Sequence, residues 1–174
     1  DTTGPYIVHA EPDGQVSAPI SEIVFQFSEP LDSNSLTLDD IVAFTDPSSV
    51  DLLDAITDVQ VDGATVTVTF TEQVQAGDYR MVIGPEIADL LGNVMDQNRN
   101  TIRGESDDTY TLDLQARSPD LTVTALGDPI EAVVGETIET SWTVQNIGDD
   151  PAEGQWDDYV YLSKSGSEIA GNNF

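Results

Sequence analysis

The sequence contains no cysteine, one histidine (His9), one lysine (Lys164) and only 5 basic residues against 33 acidic ones. Without cysteine there are no disulfides, no thiolate nucleophile and no cysteine-built zinc site. A Ser-His-acid triad would have to be built on His9. That residue lies in the alternating run Tyr6-Ile7-Val8-His9-Ala10, where an outward, solvated imidazole is expected. Five cationic side chains cannot track a phosphate backbone, and the net charge of -28 repels nucleic acid and anionic membrane surfaces alike. No apolar run is long enough to cross a bilayer. The lack of cysteine does not identify a compartment, but it is compatible with secretion without disulfides.

What the chain does have is enough apolar residues, 39%, to fill real cores, and an ordinary charged fraction of 22%. The charge is therefore a one-signed surface, not the signature of a disordered polyelectrolyte. Such a surface attracts cations and suits saline surroundings, where salt screens its self-repulsion. The length of 174 residues fits one large or two small domains.

Period-two alternation interrupted by turn residues points to an all-β sandwich. A first strand is predicted over 5–10, closed by a turn at Glu11-Pro12-Asp13-Gly14. Residues 22–28 put Ile23, Phe25 and Phe27 on one face, and Pro30 stops that strand. A short helical turn at Leu38-Asp39-Asp40 precedes a strand over 41–44. Residues 51–60 admit a helical reading, but a strand ending at Val61, with a turn at Asp62-Gly63, fits the next segment better. Residues 65–70 and 78–83 alternate cleanly, with Val66, Val68, Phe70, Tyr79, Met81 and Ile83 inward. Pro85 to Leu91 reads as one or two helical turns stopped by Gly92-Asn93. A seventh strand follows over 109–115, with Tyr110, Leu112 and Leu114 on one face. Seven strands in this space is the count of an immunoglobulin-like sandwich.

After a linker at Gln115-Ala116-Arg117-Ser118-Pro119, alternation resumes with Leu121, Val123 and Ala125. It continues over 137–146, where Ile138, Thr140, Trp142 and Val144 share a face and Trp142 is expected in the core. Asn146-Ile147-Gly148-Asp149 turns the chain, and 156–163 reads as a further strand.

The run GPYIVHAEPDGQVSAPISEIVFQFSEPLD, followed by GATVTVTF, AGDYRMVI and IADLLGNVMD, resembles the bacterial Ig-like domain of the SbsA type over about residues 4–115. The run PDLTVTAL, then VVGETIETSWTVQNIGDDPAEGQWDDYVYLSKSG, resembles the first half of a CARDB module, a bacterial adhesion-related Ig-like domain. These resemblances imply two tandem immunoglobulin-like β-sandwich modules, 1–116 and 117–174, the second incomplete. They also imply a fragment of a much longer secreted or cell-surface bacterial protein, working as a non-catalytic spacer and adhesive module. Its expected partners are other domains of the same chain and a surface protein or polysaccharide.

One stretch carries a definite chemical pattern, Asp96-Gln97-Asn98-Arg99-Asn100-Thr101-Ile102-Arg103-Gly104-Glu105-Ser106-Asp107-Asp108. Calcium takes six to eight oxygens, and calcium loops supply them from alternating positions, a backbone carbonyl and a late carboxylate. With Asp96 as the first position, the third, fifth and twelfth fall on Asn98, Asn100 and Asp107, while Thr101 holds the sixth, where the helix-loop-helix version has glycine. The expected calcium ligands are Asp96, Asn98, Asn100, the Ile102 carbonyl, and carboxylates drawn from Glu105, Asp107 and Asp108. The related Ig-like domains imply the same, since they often carry an Asp-x-Asn-x-Asn-Gly run here. The competing reading is a solvated polar loop, with Arg99 and Arg103 pairing with the carboxylates.

Weaker cation candidates are Asp13, Asp113 and Asp120 at the junction, and the cluster Asp149, Asp150, Asp157 and Asp158; solvated surface is the expectation for both. Trp156, Tyr159 and Tyr161 in one strand suggest an alternative function, a carbohydrate-binding accessory module, although cross-strand packing is the plainer reading. Abundant carboxylates permit glycosidase chemistry in principle. Small sandwiches seldom build the concave, partly dry site that catalysis needs, so no enzyme is expected.

Overall fold

The computed structural model describes residues 2–127, 133, 135–153 and 157–159. Its strands are β1 (Ile7–Glu11), β2 (Gly14–Ser17), β3 (Ile20–Phe27), β4 (Ile41–Thr45), β5 (Ile56–Asp62), β6 (Thr65–Gln73), β7 (Gly77–Ile83), β8 (Tyr110–Arg117), β9 (Leu121–Leu126) and β10 (Trp142–Asn146). The first eight form two four-stranded sheets, ordered β1-β3-β6-β5 and β2-β8-β7-β4. This is the strand order of an immunoglobulin-like sandwich, with the first edge divided between the two sheets. The all-β expectation holds.

The alternation sets which side chains enter the core. Ile23, Phe25 and Phe27 on β3, with Val66, Val68 and Phe70 on β6, face Tyr79, Met81 and Ile83 on β7 and Leu112 and Leu114 on β8; all are buried. Two edge-to-face aromatic contacts tie sheet to sheet: Phe25 with Tyr110 at 6.1 Å between centroids, and Phe44 with Phe70 at 4.8 Å. At the start of β7 the Tyr79 hydroxyl donates to the Gln75 carbonyl, 2.9 Å away and four residues upstream. That is the tyrosine corner of immunoglobulin-like sandwiches, which fixes the approach to this strand. Burial pushes the Tyr79 hydroxyl above its ordinary pKa, with the negative charge of Asp46 adding to the effect.

Several expectations need correction. The segment Glu11-Pro12-Asp13-Gly14 does not reverse the chain. It carries it from one sheet to the other, where β2 pairs in parallel with β8, giving eight strands rather than seven. The helical reading of Pro85 to Leu91 fails: Ala88 bridges Val94, and Leu31 bridges Asp89. The Asp89 carboxylate accepts from the amides of Leu91 and Asn93 and from the Asn93 side chain, and these bonds close a tight turn in place of a helix. The β5–β6 hairpin turns at Gly63-Ala64, one residue later than expected, with Gly63 at φ 61°. The short helical turn at Leu38–Asp40 is present as a 3-10 turn, and another at Leu53–Ala55 leads into β5.

Beyond Arg117, β9 and β10 pair antiparallel as a two-stranded sheet. The 137–146 strand is shorter than expected and begins at Trp142, where pairing with Leu126 begins. Trp142 does not enter a core. It is 37% exposed, and its indole N–H donates to Asp158. Leu121 and Val123 are also exposed, because the described residues supply no second sheet to cover them. The strand expected over 156–163 lies largely outside the described residues; 157–159 are not in a strand.

Candidate functional site

The 26 residues between β7 and β8 hold three of the four buried carboxylates among the described residues, Asp89, Asp96 and Asp108; the fourth, Asp40, caps the 3-10 turn before β4. Asp108 is fully buried at 0% exposure and Asp96 is nearly so at 8%. Each is held by main-chain donors within its own loop. Asp96 accepts the amide of Asn100 on Oδ1 and that of Thr101 on Oδ2, both at 3.0 Å. The amide oxygen of Asn98 accepts from Asn100 N–H, and that of Asn100 accepts from Ile102 N–H. Asp108 closes the loop from the far side, accepting from Glu105 N–H at 3.0 Å and Asn98 N–H at 3.4 Å. Glu105 accepts from the Asn100 side-chain amide at 2.7 Å.

The spacing read from the sequence is thus reproduced as a ladder of side-chain oxygens over successive amides. Thr101, at the position where a calcium loop carries glycine, adopts φ 75°, the left-handed conformation that glycine serves there. A β-branched residue is disfavoured in that region. Thr101→Gly is therefore expected to stabilise the fold by about 1 kcal/mol, read as a higher urea midpoint. An unchanged or lower midpoint would show that the threonine side chain makes compensating contacts.

The late carboxylate that turns inward is Asp108, while Asp107 is exposed. A signal for this stood in the sequence: Asp108 is in phase with Tyr110, Leu112, Leu114 and Ala116, the inward positions of β8. The side chain of Ile102 is exposed. Neither arginine of the loop pairs with its carboxylates. Arg99 lies over the Tyr6 ring, 4.9 Å from the centroid, and Arg103 donates to the Asn93 side chain. The close charged contacts among the described residues lie elsewhere, Arg80–Asp113 and Arg117–Asp149, and His9 lies beside Glu11. Asp96 and Asp108 are consequently buried carboxylates with amide donors but no cationic partner among the described residues. Among the described residues no three His, Cys, Asp or Glu side chains converge as a metal cluster, so a cation here would depend on the oxygens of Asn98 and Asn100 and on the Ile102 carbonyl.

The same loop secures the first strand. The Gln97 side chain accepts from Ile7 N–H at 2.8 Å and donates to Ile7 C=O at 3.2 Å, while Asp96 N–H donates to Pro5 C=O. A glutamine amide thus stands in for a neighbouring strand on the outer edge of β1. Gly4 lies so close to the Val94 carbonyl that any Cβ would collide. Asp89, the first residue of the Asp-x-x-Gly-Asn turn within IADLLGNVMD, organises the adjoining turn. Burial would raise its pKa, but the Asn93 side chain and the amides of Asn93, Leu91 and Gly92 hold it below the ordinary carboxylate range.

The other candidates stay apart. Asp113 is paired with Arg80, and Asp149 accepts from Ser118 N–H and faces Arg117. His9 is exposed beside Glu11, as expected. Tyr159 is exposed, and Trp156 and Tyr161 lie outside the described residues. The clefts are shallow. One of about 450 Å³ lies between the N-terminal segment and the loop, lined by Tyr6, Glu29, Asp96, Arg99 and Thr101 among others.

No curated protein matches the sequence. Among solved structures, that of CopC from Methylosinus trichosporium OB3b is similar with a TM-score of 0.45 and 10% identity, covering 66% of this chain and 94% of that one. The family model for the bacterial Ig-like domain matches residues 1–103, more than half of the chain. With the two-sheet strand order and the tyrosine corner in place, this chain belongs to the bacterial Ig-like domain family.

Proposed function

We propose that this chain is a non-catalytic structural and adhesive segment of a large secreted or cell-surface bacterial protein, an Ig-like domain of the SbsA type followed by a CARDB-like module. Its partners are the other domains of the same chain and a surface protein or polysaccharide. The loop at 96–108 serves as its calcium-dependent clamp. One observation carries the clamp: Asp108 and Asp96 are buried with no cationic side chain among the described residues to compensate them. Buried charges in proteins are paired or coordinate metals. Calcium held by Asp96, Asn98, Asn100, the Ile102 carbonyl, Glu105 and Asp108 would supply the missing positive charge. By binding only the folded form it would stabilise that form. The role is a clamp and not a sensor, because the loop joins two core strands and, through Gln97, the first strand as well.

The test is a thermal melt in millimolar calcium, in chelator, and in magnesium at matched ionic strength. The magnesium arm is needed because a net charge of -28 makes any divalent ion stabilising through screening alone. A rise in Tm specific to calcium is expected, since magnesium demands a tighter octahedral shell. Superimposable melts in all three conditions would remove calcium from the reading and leave the structural role standing.

A further inference from the structure

We propose that the groove between the open edges of the two sheets, at β4 and β5, docks an extended segment of a partner protein that carries both aliphatic and lysine or arginine side chains. The inference rests on the adhesive role proposed above and deepens it by naming the surface and the partner's chemistry. β4 and β5 each end their sheet, at the opposite edges from β2 and β1. Between them lies a groove of about 460 Å³, lined by Leu38, Ile41, Val42, Leu53 and Ile56. Leu38 is 57% exposed and Val42 50%, on a chain that carries 33 acidic residues. Aliphatic side chains gathered in one groove with a polar rim mark an interaction site, whereas singly scattered ones do not.

The backbone holds this groove open. Val42 is the extra residue of a bulge, between the pairs Ile41↔Ile83 and Ala43↔Val82, so no residue of β7 pairs with it. Leu38 stands in a 3-10 turn that is fixed by the 2.7 Å bond from Thr37 N–H to the Asp40 carboxylate. Leu53 stands in another, where its own N–H donates to Asp51 Oδ1 at 2.9 Å and Leu52 N–H donates to the Phe44 carbonyl at 2.8 Å. A groove fixed in advance spares its partner the cost of ordering it.

Charge selects the occupant. Each wall follows its leucine with an exposed carboxylate, Asp39 after Leu38 and Asp54 after Leu53, and both line the groove. The arginine on the strand paired with β4, Arg80, is taken by Asp113. A second copy of this chain would bring its own excess of carboxylates to the same rim and be repelled. The lining holds no aromatic ring on which a sugar could stack, which favours a protein over a polysaccharide. A basic, aliphatic segment satisfies both features, with its apolar side chains in the groove and its cationic heads at the two carboxylates.

The probe is a short labelled peptide alternating lysine and valine, titrated with the purified full chain and followed by fluorescence anisotropy. Peptides with serine in place of valine, or glutamate in place of lysine, are the controls. The lysine–valine peptide is expected to bind, and each control to bind about tenfold more weakly or not at all. Leu38→Ser and Val42→Ser should each weaken binding severalfold. Val74→Ser and Leu90→Ser, at exposed aliphatic positions elsewhere, should leave it unchanged. Equal binding of the lysine–serine peptide would reduce the effect to general attraction by the net charge of -28 and overturn the site, even if a groove variant failed to fold. No binding of the lysine–valine peptide would overturn it too, as would equal losses in folded groove and control variants. A dimer seen by sedimentation of the chain alone and dissolved by Leu38→Ser or Val42→Ser would make a second copy the occupant, against the proposal. Binding is measured in solution and does not depend on where the native chain resides, so it fails or succeeds separately from the proposed surface role.

Discussion

Replacing Phe25 by alanine is expected to lower the stability of the sandwich by about 3–5 kcal/mol. The ring is fully buried on β3, a central strand of its sheet, and meets Tyr110 of the opposite sheet edge to face. Truncation removes this contact between the sheets and leaves a cavity between two strands that hydrogen bonding holds in place. Native domains are stable by only about 5–15 kcal/mol, so the variant should be marginal. Equilibrium unfolding in urea gives the difference directly. A loss below about 1 kcal/mol would mean that the two sheets close over the gap and that the core is not packed as described.

The second large effect is expected at Asp108. Alanine there removes a fully buried acceptor for the part-buried amide bonds of Glu105 and Asn98. Each donor left without a partner costs about 1–3 kcal/mol, so the two together are expected to cost about 2–6 kcal/mol. The damage should spread. Asn98 follows Gln97, whose side chain covers the edge of β1, so amide exchange at Ile7 should accelerate along with that of the loop. Exchange in β4 and β5, at the opposite sheet edges, should rise only through the drop in global stability. If stability is unchanged, the carboxylate is dispensable as an acceptor and its burial needs another explanation.

Where one face of a strand is solvated and the other buried, the sequence was easy to read. The threonines of β6 alternate with Val66, Val68 and Phe70, and Tyr79, Met81 and Ile83 mark β7 as clearly. β2 was not legible: Gly14-Gln15-Val16-Ser17 has one apolar residue, and its partner lies 100 positions away. The segment after Pro85 was misread because proline at the start and Gly-Asn at the end imitate helix boundaries. The Asp89 carboxylate decides against a helix by offering the main-chain amides a closer acceptor. The oxygen spacing of 96–108 could be read directly. That Asp108 and not Asp107 is the inward carboxylate follows only when the phase of β8 is extended back past Tyr110. Trp142 was assigned to a core on alternation alone, but among the described residues its two-stranded sheet offers one neighbouring strand and no facing sheet to enclose an indole.

The proposal that this is a structural module of a larger surface protein has a direct test in the source bacterium. An antibody raised against the purified domain should label intact cells or the secreted fraction, and on a denaturing gel it should detect a polypeptide far longer than 174 residues. Labelling only after permeabilisation, with a band no larger than this chain, would contradict it.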